Sequence, residues 1–494
     1  MTGRQHGAVA SGHALTAEAA ADILRDGGNA FDAAIAALWT ACVCEPVLAS
    51  PAGGGYMAVW SDGKAGVFDF FPLTPKHKRA EGDAEYVDVV VDFGTAEQEF
   101  HIGAGTSATP GFVPGLFAIH DHLGSLPMRR LAEPAVAAAA AGVEITPLQA
   151  YLFSVVVPIY SWSDAAAALF APGGKSFKAG DVLRNPDLAA AIEAIAREGR
   201  RIATEGEIAR AMVAESERYD GHLQMVDLAG YRAALRDPLA VTIGGHSVHL
   251  NPPPALGGAL VHAMLEACDP ARAGDPLLRA QAIDSVDRFW REDPTDTKRL
   301  LGTDVPSATA VASRGTTHIS VVDGNGNAAA VTVSNGEGNG RLVSGCGFMM
   351  NNILGEDDVN RDGAYGWRPD ARLGSMMAPA IAADPDGRLI ALGSGGSSRI
   401  RTAVLQALLN RCALDQPLEP AILAPRLHVE QGHLDFEDFF SLADRDALMA
   451  AFATHRAWPE RNLYFGGVHG AESVPGGGFD AAGDPRRGGV GIVV

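Results

Sequence analysis

Glycine and proline break this chain into short apolar segments, and this feature constrains its fold more than any other. The 494 residues include 58 glycines and 29 prolines, whereas average usage is about 7% and about 5%. The glycines stand in short bursts between apolar segments, which indicates turns and close approaches of the backbone. With 47% hydrophobic residues the chain can still bury a large core. We expect a globular protein built of many short elements, and length alone suggests roughly two to four domains.

Charge, cysteine content and motif searches exclude several functional classes. A net charge of −20 argues against nucleic-acid binding, which needs clustered Lys and Arg. Five cysteines without a CxxC pair predict free thiols rather than a disulfide framework or a zinc site. HExxH, Walker A, GxSxG and a strand-borne GxGxxG are missing from the sequence, so we expect no metal and no cofactor. No signal peptide or membrane-length apolar stretch is apparent, so we expect a cytoplasmic protein without a membrane partner.

Alternating apolar and polar residues predict antiparallel strands at several places. The hairpins and the helices expected from these patterns give a layered α/β architecture with mainly antiparallel strands. The predicted hairpins turn at 61–64, 244–245, 324–326 and 386–387, and the predicted helices cover 16–44 (capped by Thr16 and broken at 26–29), 128–141, 185–198, 205–216, 228–234, 257–267, 281–291 and 398–410. Residues 76–105 are predicted to be irregular, and residues 298–315 to form an exposed linker.

A pair of threonines, Thr316 and Thr317, opens one predicted strand directly after Gly315. A Thr hydroxyl is a weak nucleophile unless a base takes its proton. Cleavage of the Gly315–Thr316 bond would supply that base, because the new α-amino group has a pKa near 8 and lies beside the hydroxyl. A Thr-Thr pair is also common in strands for its β-propensity alone, so the wider sequence decides between the two interpretations.

That wider sequence resembles the γ-glutamyltransferase family of N-terminal nucleophile hydrolases over nearly the whole chain. The matching segments follow one another in the family's order, and they are GGNAFDAAIAA (27–37), GGG (53–55), ATPGFVPGL (108–116), NPPPALGG (251–258), GTTHISVVDGNGNAAAVTVSN (315–335), LGSGGSSRIRTAVLQALLN (392–410) and APRLHVE (424–430). The resemblance implies a four-layer αββα sandwich of class α+β, with two antiparallel sheets between helical layers.

The resemblance also implies a set of functional residues. Thr316 matches the nucleophile released by autocleavage, so residues 1–315 would form a large subunit and residues 316–494 a small one, together one compact domain. Ser334 matches a hydroxyl that hydrogen-bonds the nucleophile, and Thr317 lies beside it in either a catalytic or a structural role. Gly395 and Gly396 match the glycine pair whose backbone N–H groups form the oxyanion hole. Two such amides accelerate the reaction by about 10²–10³-fold.

The substrate pocket is expected to depart from the family pattern. Phe71 stands where the family keeps an arginine for the substrate α-carboxylate. The family also has two successive serines before a methionine, and here only the second of them, Ser375, is present. On the α-amino side Asn335 matches, together with an acidic residue that is either Glu356 or Asp357. Losing a bidentate arginine costs a bound carboxylate several kcal/mol. Arg341, Arg372 and Lys76 are the candidates that could supply the lost positive charge from another direction.

The sequence therefore leaves three functions possible. The first is an autoprocessing Thr hydrolase or transferase of γ-glutamyl-type amides, acting through an acyl-enzyme in glutathione-type chemistry. The second is an acylase of a non-glutamyl amide, similar to the cephalosporin acylases. The third is a non-catalytic relative. In the first two cases the partners are a small-molecule amide and the two subunits of one precursor, and a homodimer of the processed pair is also open.

Overall fold

Two antiparallel sheets face each other in the computed structural model, which describes residues 5–92, 97–292, 315–356, 365–476 and 478–494. Sheet 1 has seven strands, in the spatial order β20 (Val490–Val493), β1 (Gly7–Ser11), β11 (Thr316–Asp323), β12 (Ala328–Ser334), β2 (Gly54–Ser61), β3 (Lys64–Asp69) and β8 (Ala234–Arg236). Sheet 2 has six, in the order β19 (Gly478–Ala482), β18 (Gly467–Val474), β14 (Leu389–Gly395), β13 (Ala380–Ala383), β10 (His246–Leu250) and β9 (Leu239–Ile243).

A helical layer covers the outer face of each sheet. The helices whose apolar residues share one core with sheet 1 are α1 (Ala14–Arg25), α2 (Ala30–Cys44), α3 (Phe112–Leu123), α4 (Met128–Ala141), α7 (Pro186–Glu198), α8 (Arg201–Thr204), α9 (Glu207–Arg218) and α10 (Met225–Gly230). Those on sheet 2 are α11 (Leu256–Ala267), α12 (Pro276–Glu292), α13 (Arg399–Leu408), α14 (Leu418–Leu423) and α15 (Leu442–Ala451). The four-layer αββα sandwich is confirmed.

Smaller elements complete the molecule. A hairpin of β4 (Val87–Asp92) and β5 (Glu97–Ile102) shares a cluster of buried apolar residues with α5 (Pro147–Tyr160) and α6 (Asp164–Phe170). A second short pair joins β6 (Val143–Glu144) to β7 (Val182–Leu183). The third sheet contains β15 (Leu427–Glu430), β16 (His433–Glu437) and β17 (Thr454–Trp458), and β16 and β17 run parallel.

Strand β11 shows how the alternation of side chains divides its residues between two environments. Ile319 and Val321 join the core under the helices of sheet 1, whereas Val322 joins the core between the two sheets. Side chains alternate along a strand, so Thr316 belongs to the face toward sheet 2 and Thr317 to the face toward α2. The core between the sheets is rich in alanine, which lets the sheets approach closely enough for β11 to contact β14.

The predicted hairpins at 61–64, 244–245, 324–326 and 386–387 are confirmed. The prediction that 76–105 is irregular is wrong, because the alternating residues of Val87–Asp92 and Glu97–Ile102 form a hairpin despite their charges. The helix predicted at 228–234 instead spans Met225–Gly230, and Ala234 opens β8.

The predicted break at 26–29 is confirmed, but the predicted cap at Thr16 is wrong. His13 caps α1 by accepting a hydrogen bond from the backbone N–H of Leu15. Asn29 caps α2 in a capping box with Asp32. The linker predicted at 298–315 lies outside the described residues except for Gly315, which is buried rather than exposed. All five cysteines are free thiols, as predicted. In the described part of the chain, none of the helices is both long and apolar enough to span a membrane.

Candidate active site

Thr316 is the first residue of β11, and its strand lies in the interior of sheet 1. It pairs with Ser334 on β12, and Ser334 in turn pairs with Gly54 on β2. The Thr316 side chain is 1% exposed. The pairing with β12 therefore holds Thr316 from one side, whereas the pairing of β11 with β1 reaches only as far as Ile319.

Ser334 contacts the peptide bond that precedes Thr316. Its hydroxyl donates a hydrogen bond to the carbonyl oxygen of Gly315 at 2.7 Å and accepts one from the backbone N–H of Gly336 at 3.0 Å. A hydrogen bond to a carbonyl oxygen polarises the carbonyl carbon and makes it more open to attack by a nucleophile.

Only glycine fits at position 315. A Cβ atom there would stand 1.8 Å from the carbonyl oxygen of Gly336 and 2.7 Å from that of Val47. The bond before the candidate nucleophile is therefore enclosed between the start of β11, the turn after β12 and the loop after α2.

The glycine pair lies directly opposite Thr316. Gly395 ends β14, and a Cβ on it would stand 2.3 Å from the Thr316 carbonyl oxygen. Gly396 has a φ of +128°, which glycine adopts at little cost, and Ser397 follows at a φ of +60°. Backbone strain of this kind often accompanies functional sites. The Ser398 hydroxyl makes no cap to α13 and donates instead to Glu430.

Asn335 and Glu356 come together beside the same turn. Both are buried, and neither atom of the Asn335 side-chain amide has a hydrogen-bond partner in the described part of the chain. The Glu356 Oε1 atom lies 2.7 Å from the position that a Cβ on Gly336 would take. Buried polar groups are rarely left unsatisfied without a functional reason. Asp357, the alternative to Glu356, lies outside the described residues.

The side chains of Phe71 and Ser375 are engaged in other contacts. The Phe71 ring is 2% exposed and stacks on Tyr56 with 5.6 Å between centroids, inside the core between the sheets. Ser375 accepts a hydrogen bond from the Met377 N–H through its hydroxyl, and its carbonyl accepts from the first residues of α11. The Phe71 ring is therefore core packing rather than an open pocket wall.

Two of the three candidate replacements for the missing arginine, Arg341 and Arg372, are paired with carboxylates elsewhere. Arg372 donates to the Asp69 carboxylate at 3.2 Å and to the Phe71 carbonyl at 2.9 Å. Arg341 pairs with Glu85 and stacks on Tyr219 at 3.3 Å from the ring centroid. The Lys76 Nζ lies 2.7 Å from the position of a Cβ on Gly230. None of these contacts involves Thr316, Ser334 or the glycine pair.

Thr317 faces a buried carboxylate. Its hydroxyl and the Glu45 Oε1 each lie 3.1 Å from the position of a Cβ on Gly12. Burial raises the pKa of Glu45 to about 7, although the Thr317 hydroxyl and the Arg487 charge act in the opposite direction. Thr317 is thus separated from the Thr316 side chain by the plane of the sheet, which favours the structural role over the catalytic one.

His318 lies on the same face of β11 as Thr316. Its ring nitrogens are hydrogen-bonded to Thr332 at 2.8 Å and to Ser320 at 2.9 Å. Burial places the pKa of His318 well below its ordinary value, so the ring is neutral. A Cβ on Gly393 would lie 2.3 Å from this ring, so the histidine fills a gap between the sheets.

Sequence reasoning missed one residue of the site, Arg487. Its guanidinium lies against Gly395 and Gly396, and the residue is 7% exposed. The run DPRRGG at 484–489, with two arginines between a proline and two glycines, is the signal that could have indicated a buried turn. Across the described ranges, no group of three or more His, Cys, Asp and Glu side chains could hold a metal ion.

Comparison with known proteins agrees with the fold. Cephalosporin acylase from Bacillus halodurans superposes with a TM-score of 0.84 at 22% identity, over 99% of this chain and 96% of that one. The chain therefore has the same fold as that acylase.

Sequence comparison then gives the family. The profile of γ-glutamyltranspeptidase matches residues 16–275 and 275–494. A glutathione hydrolase proenzyme of Pseudomonas aeruginosa is 30% identical over 552 residues, which cover 99% of this chain and 94% of the relative. An acylase ACY 1 proenzyme of Pseudomonas sp. (strain SE83) is 30% identical over 483 residues, which cover 90% of this chain and 86% of the relative. The chain belongs to the γ-glutamyltranspeptidase family, and it is an enzyme of the N-terminal nucleophile hydrolase type.

Proposed function

We propose that the chain cuts itself between Gly315 and Thr316, and that Thr316 then hydrolyses an amide through an acyl-enzyme. The observation that carries this proposal is the Ser334 hydrogen bond to the Gly315 carbonyl, directly before the first residue of an interior strand. Both relatives named above are described as proenzymes, which supports the processing step.

The processing reaction is an acyl shift followed by hydrolysis. The Thr316 hydroxyl oxygen attacks the Gly315 carbonyl carbon, the C–N bond breaks, and the amide nitrogen takes up the hydroxyl proton. Water then hydrolyses the resulting ester, which leaves Gly315 with a carboxylate and Thr316 with both its hydroxyl and a free α-amino group. Residues 1–315 and 316–494 stay together because β11 pairs with β1 from the first part of the chain.

Catalysis repeats this chemistry on a substrate. The α-amino group of Thr316 accepts the hydroxyl proton while the oxygen attacks the substrate carbonyl carbon. The backbone N–H groups of Gly395 and Gly396 stabilise the oxyanion, the amine leaves with the proton, and an acyl ester remains. Attack by water, or by an amine acceptor, then releases the acyl group and restores Thr316.

For the substrate, we propose an acyl group that carries an amino group and needs no arginine for a carboxylate. Asn335 and Glu356 adjoin the turn that contacts Gly315, and a carboxylate with an amide suits an ammonium group. The Phe71 ring is packed in the core, and Arg341 and Arg372 are paired with carboxylates. The glutathione hydrolase relative supports a γ-glutamyl-type amide, and the acylase relative supports the alternative of a non-glutamyl acyl amide.

Three anilides that differ by one group each test the substrate. The γ-glutamyl anilide carries an α-amino and an α-carboxylate group, 4-aminobutanoyl anilide keeps only the amino group, and glutaryl anilide keeps only the carboxylate. We expect kcat/KM for the 4-aminobutanoyl compound to be within about 10-fold of the γ-glutamyl one, and glutaryl anilide to be slower by about 10-fold or more.

The opposite order, with glutaryl anilide fastest, would favour the acylase alternative. Mass spectrometry of the small subunit during turnover should show the acyl group on the peptide that begins with Thr316. An acyl group found on any other residue would contradict the proposed nucleophile.

A further inference from the structure

The buried guanidinium of Arg487 lies beside Gly395 and Gly396, and it has no role in the reaction steps proposed above. Arg487 belongs to a short 3₁₀ turn, Pro485–Arg487, near the end of the chain. Its Nη1 lies 3.5 Å from the position of a Cβ on Gly395, and its Nη2 lies 3.4 Å from that of a Cβ on Gly396. One guanidinium thus spans both residues of the proposed oxyanion hole.

The backbone around Arg487 leaves room for this side chain. A Cβ on Gly467 would stand 2.5–2.8 Å from the Cβ, Cγ and Cδ atoms of Arg487. Gly467 pairs with Gly395 across β18 and β14, so the two strands carry glycine at the point where the arginine stem crosses them. Any side chain at Gly467 would displace the guanidinium from the glycine pair.

The charge of Arg487 acts on its surroundings through space. It offsets part of the rise that burial causes in the pKa of Glu45. The pKa of His469 is lowered to about 4 by burial, and the Arg487 charge acts in the same direction. The guanidinium of the neighbouring Arg486 donates to the carboxylates of Glu437 and Asp484. Two adjacent buried arginines therefore have different positions, one in a carboxylate cluster and one on the glycine pair.

The positive charge of Arg487 beside Gly395 and Gly396 is expected to affect the rate of the reaction. The oxyanion that forms at the Gly395 and Gly396 amides is a full negative charge in a buried site, where charges interact strongly. A fixed cation behind those amides stabilises the transition state more than the neutral substrate, so it raises kcat rather than lowering KM.

We propose that Arg487 is a positioning residue of the oxyanion hole, which fixes the backbone of Gly395 and Gly396 and adds positive charge behind their amides. This inference rests on the proposed function, because it assigns a partner to the oxyanion hole of that reaction.

The test compares substitutions at Arg487 with one at its neighbour, using the fastest anilide and the processed enzyme. Arg487→Met keeps the apolar stem and removes the charge, and it should lower kcat by about 10- to 100-fold with KM within about 3-fold. Arg487→Lys restores the charge. If Arg487→Met lowers kcat by about 100-fold, the kcat of Arg487→Lys should be at least about 10-fold higher than that of Arg487→Met. The matched control Arg486→Met breaks the carboxylate cluster, so it should lower the unfolding temperature while kcat of the folded enzyme stays within about 3-fold.

Several results would overturn the inference. These are a kcat for Arg487→Met within about 3-fold of wild type, an effect on KM alone, or no recovery by Arg487→Lys. If Arg487→Met gives no folded protein, Arg487→Gln is measured against the same thresholds, and failure of both to fold would make the residue structural instead. A variant that folds but stays uncut would assign Arg487 to processing. If the wild-type enzyme itself is uncut and inactive, the proposed function fails instead.

Discussion

The two ends of the proposed active site are built in different ways. Around Thr316 the contacts are made by backbone and small polar groups: the Gly315 carbonyl, the Ser334 hydroxyl and the backbone of Gly395. Around Phe71 the contacts are made by large side chains: an aromatic stack on Tyr56 and an arginine held by Asp69. The first end has the groups that amide cleavage needs, and the second has the packing of a protein core.

This difference separates the reaction from its specificity. Backbone amides and a hydroxyl nucleophile act on any amide that reaches them, so the Thr316 end does not select an acyl group. The side chains around Thr316 determine which acyl group is accepted. The position expected from the family pattern to hold the carboxylate-binding arginine is filled by the buried ring of Phe71. The same catalytic end is thus compatible with both the glutathione hydrolase and the acylase among the relatives.

Phe71→Arg would show most directly whether the Phe71 end is core or pocket. Because the ring is 2% exposed and stacked on Tyr56, a guanidinium there would be buried beside apolar groups. We expect a loss of about 3–5 kcal/mol in the free energy of unfolding, measured in urea, and no gain in hydrolysis of γ-glutamyl anilide. Phe71→Leu, the control, should cost about 1.5 kcal/mol or less. Wild-type stability with a lower KM for the γ-glutamyl compound would mean that position 71 faces the substrate.

Gly395→Ala tests the Thr316 end. The new Cβ would stand 2.3 Å from the Thr316 carbonyl oxygen, so the strand must shift away from the nucleophile. We expect kcat to fall by about 10²–10³-fold, which is the loss typical of a damaged oxyanion hole. Gly274→Ala is a matched control, since the nearest atom to its Cβ would be 3.8 Å away on Leu414. Equal activity of both variants would remove Gly395 from the site.

Glu45→Gln is expected to have the smallest effect, and its sign depends on pH. The pKa of Glu45 is raised to about 7 in the folded protein, so the folded state holds a proton that the unfolded state loses between about pH 4.5 and 7. Ionised Glu45 therefore destabilises the fold above pH 7 by up to about 3 kcal/mol and has no such effect near pH 4. Urea unfolding should show that Glu45→Gln gains clearly more stability over wild type at pH 8 than at pH 5. A gain of the same size at both values would mean that Glu45 does not titrate in this range.

The sequence predicts the hairpins and most helices because their signals are local. Thr317 to Asp323 alternates apolar and polar residues and is followed by a glycine turn, and the strands form where that pattern stands. The β4–β5 hairpin was missed because its outward positions carry Asp and Glu, which mask the alternation of its valines. The resemblance to the family indicated the nucleophile, the glycine pair and the acidic residue. The structure then brings together Thr316, Ser334, Gly395, Asn335 and Glu356.

Long-range contacts account for what the sequence could not predict. Arg487 reaches Gly395 only because β1 brings β20 to the edge of sheet 1 and β18 pairs with β14. The environment of Phe71 depends on Tyr56 from the neighbouring strand and on Arg372 from a distant loop. No local periodicity contains such information, so the surroundings of a single residue have to be read from the fold.

Self-cleavage before Thr316 is the step on which the proposed activity of this chain depends. Intact-mass measurement of purified wild-type protein tests it, with Thr316→Ala as the uncut reference. We expect two chains of about 33 and 18 kDa from the 51.3 kDa precursor, the smaller beginning with Thr316, and a single uncut and inactive chain from the variant. Wild-type protein that remains one chain on long incubation, or Thr316→Ala protein that is still cut at the same bond, would contradict the account.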